Sequence, residues 1–168
     1  MKHIHFDVES DGFYGAYWAC KDGSNCAVIA MIGDDPEDYM ARSAVKWLLR
    51  LGVNILTMSP GKKDYGHHNY PLECIEKAIA WLKLHGNEKI GIAGASTTGT
   101  LALMAASLFD NISLTIAMTP SDFVWQGSCR AKRMAARNGQ SRENHSFLTR
   151  EIPCHTCRFA ISILTIGA

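Results

Sequence analysis

The fold of this chain is decided by the segment Lys89-Ile90-Gly91-Ile92-Ala93-Gly94-Ala95-Ser96-Thr97-Thr98-Gly99. Residues 89–93 predict a short buried strand, and the small-residue and leucine run from Thr98 to Phe109 predicts a helix that follows at once. A serine in such a strand–turn–helix setting is held in a strained conformation that projects its hydroxyl above the sheet. Ser96 is therefore the candidate nucleophile.

The turn departs from the common G-x-S-x-G pattern, because Thr98 stands where the second glycine is expected and Gly99 comes one place later. Since threonine is larger and β-branched, we expect the helix to lie slightly farther from the strand. Two other interpretations are a plain turn with Ser96 as a helix cap, and a phosphate-binding turn. The second lacks the G-x-x-x-x-G-K-[ST] pattern, and the strand–turn–helix context favours a nucleophile over a cap.

Backbone N–H groups near this turn are predicted to stabilise an oxyanion. The N–H of Thr97 follows the nucleophile directly. A second N–H is expected from the loop after the first buried strand, around Gly33 and Asp34. The positive end of the helix over residues 98–109 adds to this stabilisation.

Outward from this turn, strands and helices alternate along the chain. Apolar runs typical of buried strands lie at residues 26–32, 53–58, 89–93 and 112–118. Helical patterns lie over residues 36–51, 71–84 and 98–109. This order predicts an α/β fold with a mostly parallel sheet and helices on both faces. Residues 3–7 and 14–20 predict antiparallel edge strands, and residues 159–166 predict one more short strand.

Acidic residues follow the first buried strand. Pro36 suits the first turn of a helix, with Asp34 or Asp35 as its cap and Glu37 and Asp38 near its positive end. Helix capping explains this cluster better than metal binding does. The apolar stripe of that helix is predicted to contain Tyr39, Ala44, Val45, Trp47, Leu48 and Leu51. Trp47 and, in the next helix, Trp81 are predicted to be core residues.

Composition limits the classes of function. The chain has 168 residues, 47% of them hydrophobic and 20% charged, with a net charge of +1. This balance supports neither a nucleic-acid nor a membrane partner. The start of the chain has no signal-peptide pattern and no apolar run is long enough to span a bilayer. Cys20, Cys26 and Cys74 are expected to be reduced thiols, which indicates the cytoplasm. No cofactor and no metal site are expected.

The charge changes abruptly after residue 127. Residues 1–127 carry 10 Lys and Arg and 14 Asp and Glu, whereas residues 128–168 carry 7 and 2. We therefore divide the chain into a partial domain, 1–127, and a basic, poorly ordered tail, 128–168. One hypothesis is that the tail is translated out of frame, since a back-translation shifted by one nucleotide gives a peptide typical of a continued domain. The C-x-x-C at 154–157 and the basic run 130–137 are attributed to chance and to a solvated face.

Three segments carry a family resemblance, namely 90–96, 101–107 and Thr119-Pro120-Ser121-Asp122-Phe123-Val124-Trp125-Gln126-Gly127. They resemble the C-terminal catalytic domain of the acyl-CoA thioester hydrolase / bile acid-CoA:amino acid N-acyltransferase family, over roughly residues 12–127. The resemblance implies an α/β-hydrolase-type three-layer fold and an acyl-CoA substrate. It also implies a Ser or Cys nucleophile with an acid and a His. Ser96 then favours hydrolysis over transfer to an amino acid.

The sequence offers few candidates for the acid and the base of such a site. In this fold the order is Ser, acid, His, and the residues after Ser96 are too few to finish the sheet, which predicts a domain incomplete at its C-terminus. Asp122, just past strand 112–118, is a candidate acid, although a loop or capping role suits it better. The histidines at 67, 68, 145 and 155 are poor candidates for the base. Three hypotheses follow: a truncated acyl-CoA hydrolase, an inactive fragment, and another serine esterase.

Overall fold

The computed structural model describes residues 2–59 and 70–120 and the backbone of residues 162–165. Seven strands of these described segments form one sheet, with the order β1-β2-β4-β3-β5-β6-β7. The strands are β1 (Ile4–Phe6), β2 (Gly15–Trp18), β3 (Cys26–Met31), β4 (Asn54–Met58), β5 (Lys89–Ala95), β6 (Ile112–Met118) and β7 (Ser162–Thr165). The helices of this part of the chain are α1 (Val8–Asp11), α2 (Tyr39–Leu49), α3 (Glu73–Leu84) and α4 (Thr97–Leu108). The predicted α/β class is confirmed.

The centre of the sheet is parallel and its margins are antiparallel. β4, β3, β5 and β6 run parallel to one another. β1 and β2 add antiparallel strands on one side, and β7 pairs antiparallel with β6 on the other. The predictions of antiparallel strands at residues 3–7 and 14–20 and of a strand within 159–166 are therefore confirmed, but β2 lies between β1 and β4 and is not an edge strand.

Both faces of the sheet carry apolar side chains. On one face α3 and α4 pack against the strands. They form one apolar cluster with strand residues Ile29, Leu56 and Ile92, to which the helices contribute Ile75, Ala78, Leu82, Ala102 and Ala105. On the other face α2 contributes Val45 and Leu48 to a cluster with Val28, Ala30, Ile55 and Ala93. Burial on both faces explains why the central strands are apolar without alternation.

The N-terminal part of α2 differs from the prediction. The helix begins at Tyr39 and its cap is Asp38, not Asp34 or Asp35. Pro36 precedes the helix instead of lying in its first turn. The reason is that the backbone from Gly33 to Asp38 turns around the Asp38 carboxylate, as described below, and helical geometry starts only after that turn.

The predicted stripe of α2 is also too wide. Its buried residues are Ala41, Val45 and Leu48, whereas Trp47 is 59% exposed and Tyr39 and Leu51 are exposed as well. A helix on a sheet buries residues about one turn apart, and Trp47 lies beside that contact strip. Trp81 in α3 is half-buried and packs against the core, with its ring 4.8 Å from that of Phe6.

Cys20, Cys26 and Cys74 are free thiols, and burial raises the pKa of the Cys74 thiol. Across residues 2–59 and 70–120 no helix has both the length and the apolar character needed to cross a membrane.

Candidate active site

Ser96 forms the apex of a tight turn between β5 and α4. Its backbone has φ 53° and ψ −121°, a conformation that costs a non-glycine residue about 1–3 kcal/mol. Its N–H donates to the Met118 carbonyl at 2.9 Å and its carbonyl accepts from the Thr100 N–H at 3.1 Å. Ser96 occupies the cap position of α4, yet its side chain makes no capping hydrogen bond and is exposed. The plain-cap interpretation of this serine therefore has no support in the geometry.

Glycine at position 94 permits the turn. A Cβ atom there would lie 2.2 Å from the Thr98 carbonyl oxygen and 2.8 Å from the Gly99 nitrogen. Both are backbone atoms, so no side chain can be accommodated by a rotamer change. The first turn of α4 thus lies directly against the end of β5.

Thr98 does not push the helix outward, contrary to the expectation from its size. The close approach at Gly94 shows that α4 and β5 are in direct contact. Thr98 is only 4% exposed, and its hydroxyl accepts from the Ala95 N–H at 2.9 Å and lies 2.6 Å from the Met31 carbonyl oxygen. The side chain is accommodated because its hydroxyl bonds the backbone at the ends of both β5 and β3.

Gly33 lies at the same edge of the sheet as Ser96. β3 and β5 are neighbours whose last paired residues are Met31 and Gly94, and Gly33 and Ser96 each follow two residues later. Thr97 is the first residue of α4, so its N–H lies at the positive end of that helix. The two predicted oxyanion donors thus come from adjacent loops at the carboxyl edge of the sheet.

The loop that contains Gly33 is folded around Asp38. The carboxylate of Asp38 accepts from the N–H groups of Asp34 at 2.8 Å, Asp35 at 3.2 Å and Ala41 at 2.8 Å. Gly33 has φ 97°, and a Cβ atom there would lie 2.5 Å from both Asp38 carboxylate oxygens. Only glycine fits such a position without strain.

The Asp38 carboxylate binds some of the backbone N–H groups of this loop and leaves that of Gly33 unbound. The amide of Asp34 is committed to Asp38, whereas that of Gly33 has no acceptor among the described residues. Burial alone would raise the pKa of Asp38, but the N–H groups of Ala41, Asp35, Asp34 and Met40 outweigh it, so the pKa lies below its ordinary value. The loop is also held from β4, since Thr57 Oγ1 donates to the Pro36 carbonyl at 2.7 Å.

The remaining predicted site residues lie outside the described part of the chain. These are Asp122 and the histidines at 67, 68, 145 and 155. The three described histidines have contacts elsewhere: His3 and His5 contact Glu37 at 2.7 and 3.3 Å, and His85 stacks on Trp81. Within residues 2–59 and 70–120, no three His, Cys, Asp or Glu side chains are grouped so that they could hold a metal ion.

The sequence analysis named Asp38 and Thr98 but missed their roles, the loop bonds of the Asp38 carboxylate and the bond of the Thr98 hydroxyl to β3. An aspartate immediately before Tyr39, the first helical residue, is a capping signal that pointed to Asp38. No local pattern pointed to the bond between Thr98 and Met31, because these residues are 67 positions apart.

The fold resembles solved esterase structures. Two crystal forms of the Pyrococcus furiosus esterase Pf2001 superpose with TM-scores of 0.57 and 0.55, at 20% and 19% sequence identity. The aligned regions cover 83% and 82% of this chain but only 56% and 53% of the esterase. The chain therefore spans just over half the length of that enzyme. No curated protein shows a significant match to the sequence.

The sequence itself matches a protein family. Residues 70–157, which make up just over half of the chain, match the family described as BAAT / Acyl-CoA thioester hydrolase C terminal. The match includes α3, β5, the Ser96 turn, α4 and β6, and it continues past the predicted boundary at residue 127. Together with the hydrolase-type sheet, this shows that the chain belongs to the BAAT / acyl-CoA thioester hydrolase C-terminal family.

Proposed function

We propose that the chain is a serine hydrolase domain that acts on acyl-CoA thioesters through an acyl-enzyme on Ser96. The observation that carries the proposal is the geometry of Ser96. Its backbone is strained, and its exposed side chain makes no capping hydrogen bond. Such strain persists only where the surrounding structure imposes it, and it concentrates at functional sites. The family and the fold support a hydrolase, and the family's name supports the acyl-CoA substrate.

The proposed chemistry uses two half-reactions. Ser96 Oγ attacks the thioester carbonyl carbon as a base takes its proton, and the N–H groups of Thr97 and Gly33 stabilise the oxyanion. The C–S bond then breaks and CoA leaves as its thiol with that proton. Water attacks the resulting ester in the same way and releases the carboxylic acid and free Ser96. The proposed location is the cytoplasm, which agrees with the free cysteine thiols.

None of the three described histidines is proposed as the base. By chain order the acid and base follow Ser96, and Asp122 remains the proposed acid. A second candidate function is a non-catalytic hydrolase fragment. It is favoured by the alignment with the solved esterase, which covers only 56% of that chain.

The tail has its own test. We propose that residues 1–127 form a partial domain, with residues 128–168 translated out of frame. Sequencing the DNA across the codons for 125–130, together with mass spectrometry of the expressed protein, decides this. An intact frame in both measurements rejects the hypothesis, and the family match that reaches residue 157 then describes a native tail.

A fluorophosphonate probe tests the nucleophile. We expect labelling of the 168-residue chain that Ser96→Ala abolishes, while Ser107→Ala, at an exposed serine in α4, labels normally. Absence of labelling in the parent chain supports the inert fragment. Hydrolysis of lauroyl-CoA and palmitoyl-CoA, compared with p-nitrophenyl esters, then separates a thioesterase from a general esterase.

A further inference from the structure

We propose that Thr98 is a positioning residue whose hydroxyl ties the Ser96 turn to the end of β3, and so sets the spacing between the two oxyanion donors. The catalytic consequence rests on the function proposed above. The tie itself rests on hydrogen bonds between described residues.

The hydroxyl of Thr98 bonds two separate segments. Oγ1 accepts from the Ala95 N–H at 2.9 Å, on the residue before the nucleophile. Its proton has two acceptors within reach, the Met31 carbonyl at 2.6 Å and the Ala95 carbonyl at 2.8 Å. The Met31 contact is the shorter, and it runs from the first turn of α4 to the end of β3. Since Thr98 is 4% exposed, water does not compete readily for these bonds.

The two segments carry different oxyanion donors. Thr97 follows Ser96, whereas Gly33 follows β3, two residues after Met31. The ladder of paired residues between β3 and β5 ends at Met31 and Gly94. Beyond that pair, the Thr98 hydroxyl continues the connection between the strands by a side chain. Donors to an oxyanion act only within a narrow range of distance, so a link at this point affects catalysis directly.

This link is specific to the residue found here. The common G-x-S-x-G pattern has glycine at this place, and glycine has no hydroxyl to make either bond. Threonine in place of glycine therefore adds a hydrogen bond to β3 that a glycine at this position cannot make.

The test compares Thr98→Val, which keeps the shape and removes the hydroxyl, with Thr98→Ser, which keeps the hydroxyl. Thr115→Val is the matched control, because Thr115 is fully buried in β6 and its hydroxyl has no partner among the described residues. All are made in the 168-residue chain. Readouts are kcat and KM with lauroyl-CoA, the rate of fluorophosphonate labelling, and urea stability.

We expect Thr98→Val to lower kcat and the labelling rate about 10- to 100-fold, less than the loss of a whole oxyanion donor. KM should change less than about 3-fold, as for a group that acts in the transition state. Thr98→Ser and Thr115→Val should stay within about 3-fold of the parent. A Val variant as fast as the parent, or a Ser variant as slow as Val while both are folded, overturns the proposal.

A structural readout separates this proposal from the proposed function. In amide NMR spectra, Thr98→Val should shift the signal of Gly33 as well as that of Ala95, and Thr98→Ser should shift neither strongly. A shift confined to residues 95–98 overturns the tie, whether or not the chain is active. A parent chain that neither reacts with the probe nor hydrolyses acyl-CoA overturns the function, and a Gly33 shift in that case still supports the tie.

Discussion

At the scale of single residues, the candidate site is built from conformations that few side chains tolerate. Ser96 and Gly33 both have positive φ angles, and the backbone packs against Gly94 where a Cβ would stand. Glycine fits its two positions without strain, whereas Ser96 is strained and depends on its neighbours to hold it. The concentration of such positions at one edge of the sheet is what distinguishes the Ser96 turn from an ordinary helix cap.

Replacing Ser96 by glycine should stabilise the fold. Glycine adopts φ 53°, ψ −121° without a steric penalty, so Ser96→Gly should raise the free energy of unfolding by about 1 kcal/mol. Ser96→Ala keeps the Cβ and the strain and is the control, expected within about 0.5 kcal/mol of the parent. Urea unfolding measures both. Equal stabilities of the Gly and Ala variants would show that the turn is not strained.

The stability contributed by Asp38 should depend on pH. Its pKa is lowered in the folded chain, so its contribution is fully present above the pKa of the unfolded chain and is lost as the pH falls through the folded value. Asp38→Asn can still accept from the Ala41 N–H but loses one acceptor of the loop amides. Its deficit relative to the parent should be largest at neutral pH and shrink below about pH 4.

Unfolding in urea between pH 7 and pH 3 checks this dependence. Asp7→Asn, at the cap of α1, where the carboxylate accepts from the Glu9 N–H at 3.2 Å, controls for the loss of a capping charge. A deficit of Asp38→Asn that stays constant over this range would contradict the assignment.

At the scale of elements, α2 shows that the apolar stripe of a helix need not equal its buried face. Leu48 is 4% exposed and Trp47 is 59% exposed, although the two are adjacent in the chain. Only the strip that faces β3 and β4 is covered, and hydropathy alone does not reveal where that strip ends.

This difference predicts opposite outcomes for two truncations in α2. Leu48→Ala removes a packed side chain and should cost about 2–4 kcal/mol of unfolding free energy. Trp47→Ala should change stability by no more than about 0.5 kcal/mol. Urea unfolding, followed by circular dichroism because a tryptophan is removed, measures both. A Trp47→Ala cost comparable with that of Leu48→Ala would mean that Trp47 is covered in solution.

At the scale of the whole molecule, the sheet places the site. Four parallel strands end at the same edge, where the loops after β3 and β5 present Gly33 and Ser96. In open parallel sheets this carboxyl edge is where ligands bind. Asp122, the proposed acid, follows β6 in the chain and lies outside the described residues.

The sequence by itself determined the succession of strands and helices along the chain except for the short helix α1, the mostly parallel class of the sheet, the turn at Ser96 and the family. These features depend on local periodicity, on glycine conformations and on short motifs, all of which are encoded within a few adjacent residues. Only the tertiary structure decided the strand order, the exposure of Trp47, the role of Asp38 and the bond from Thr98 to Met31. Those depend on which distant segments meet, and a contact across 67 residues leaves no periodic trace in the chain.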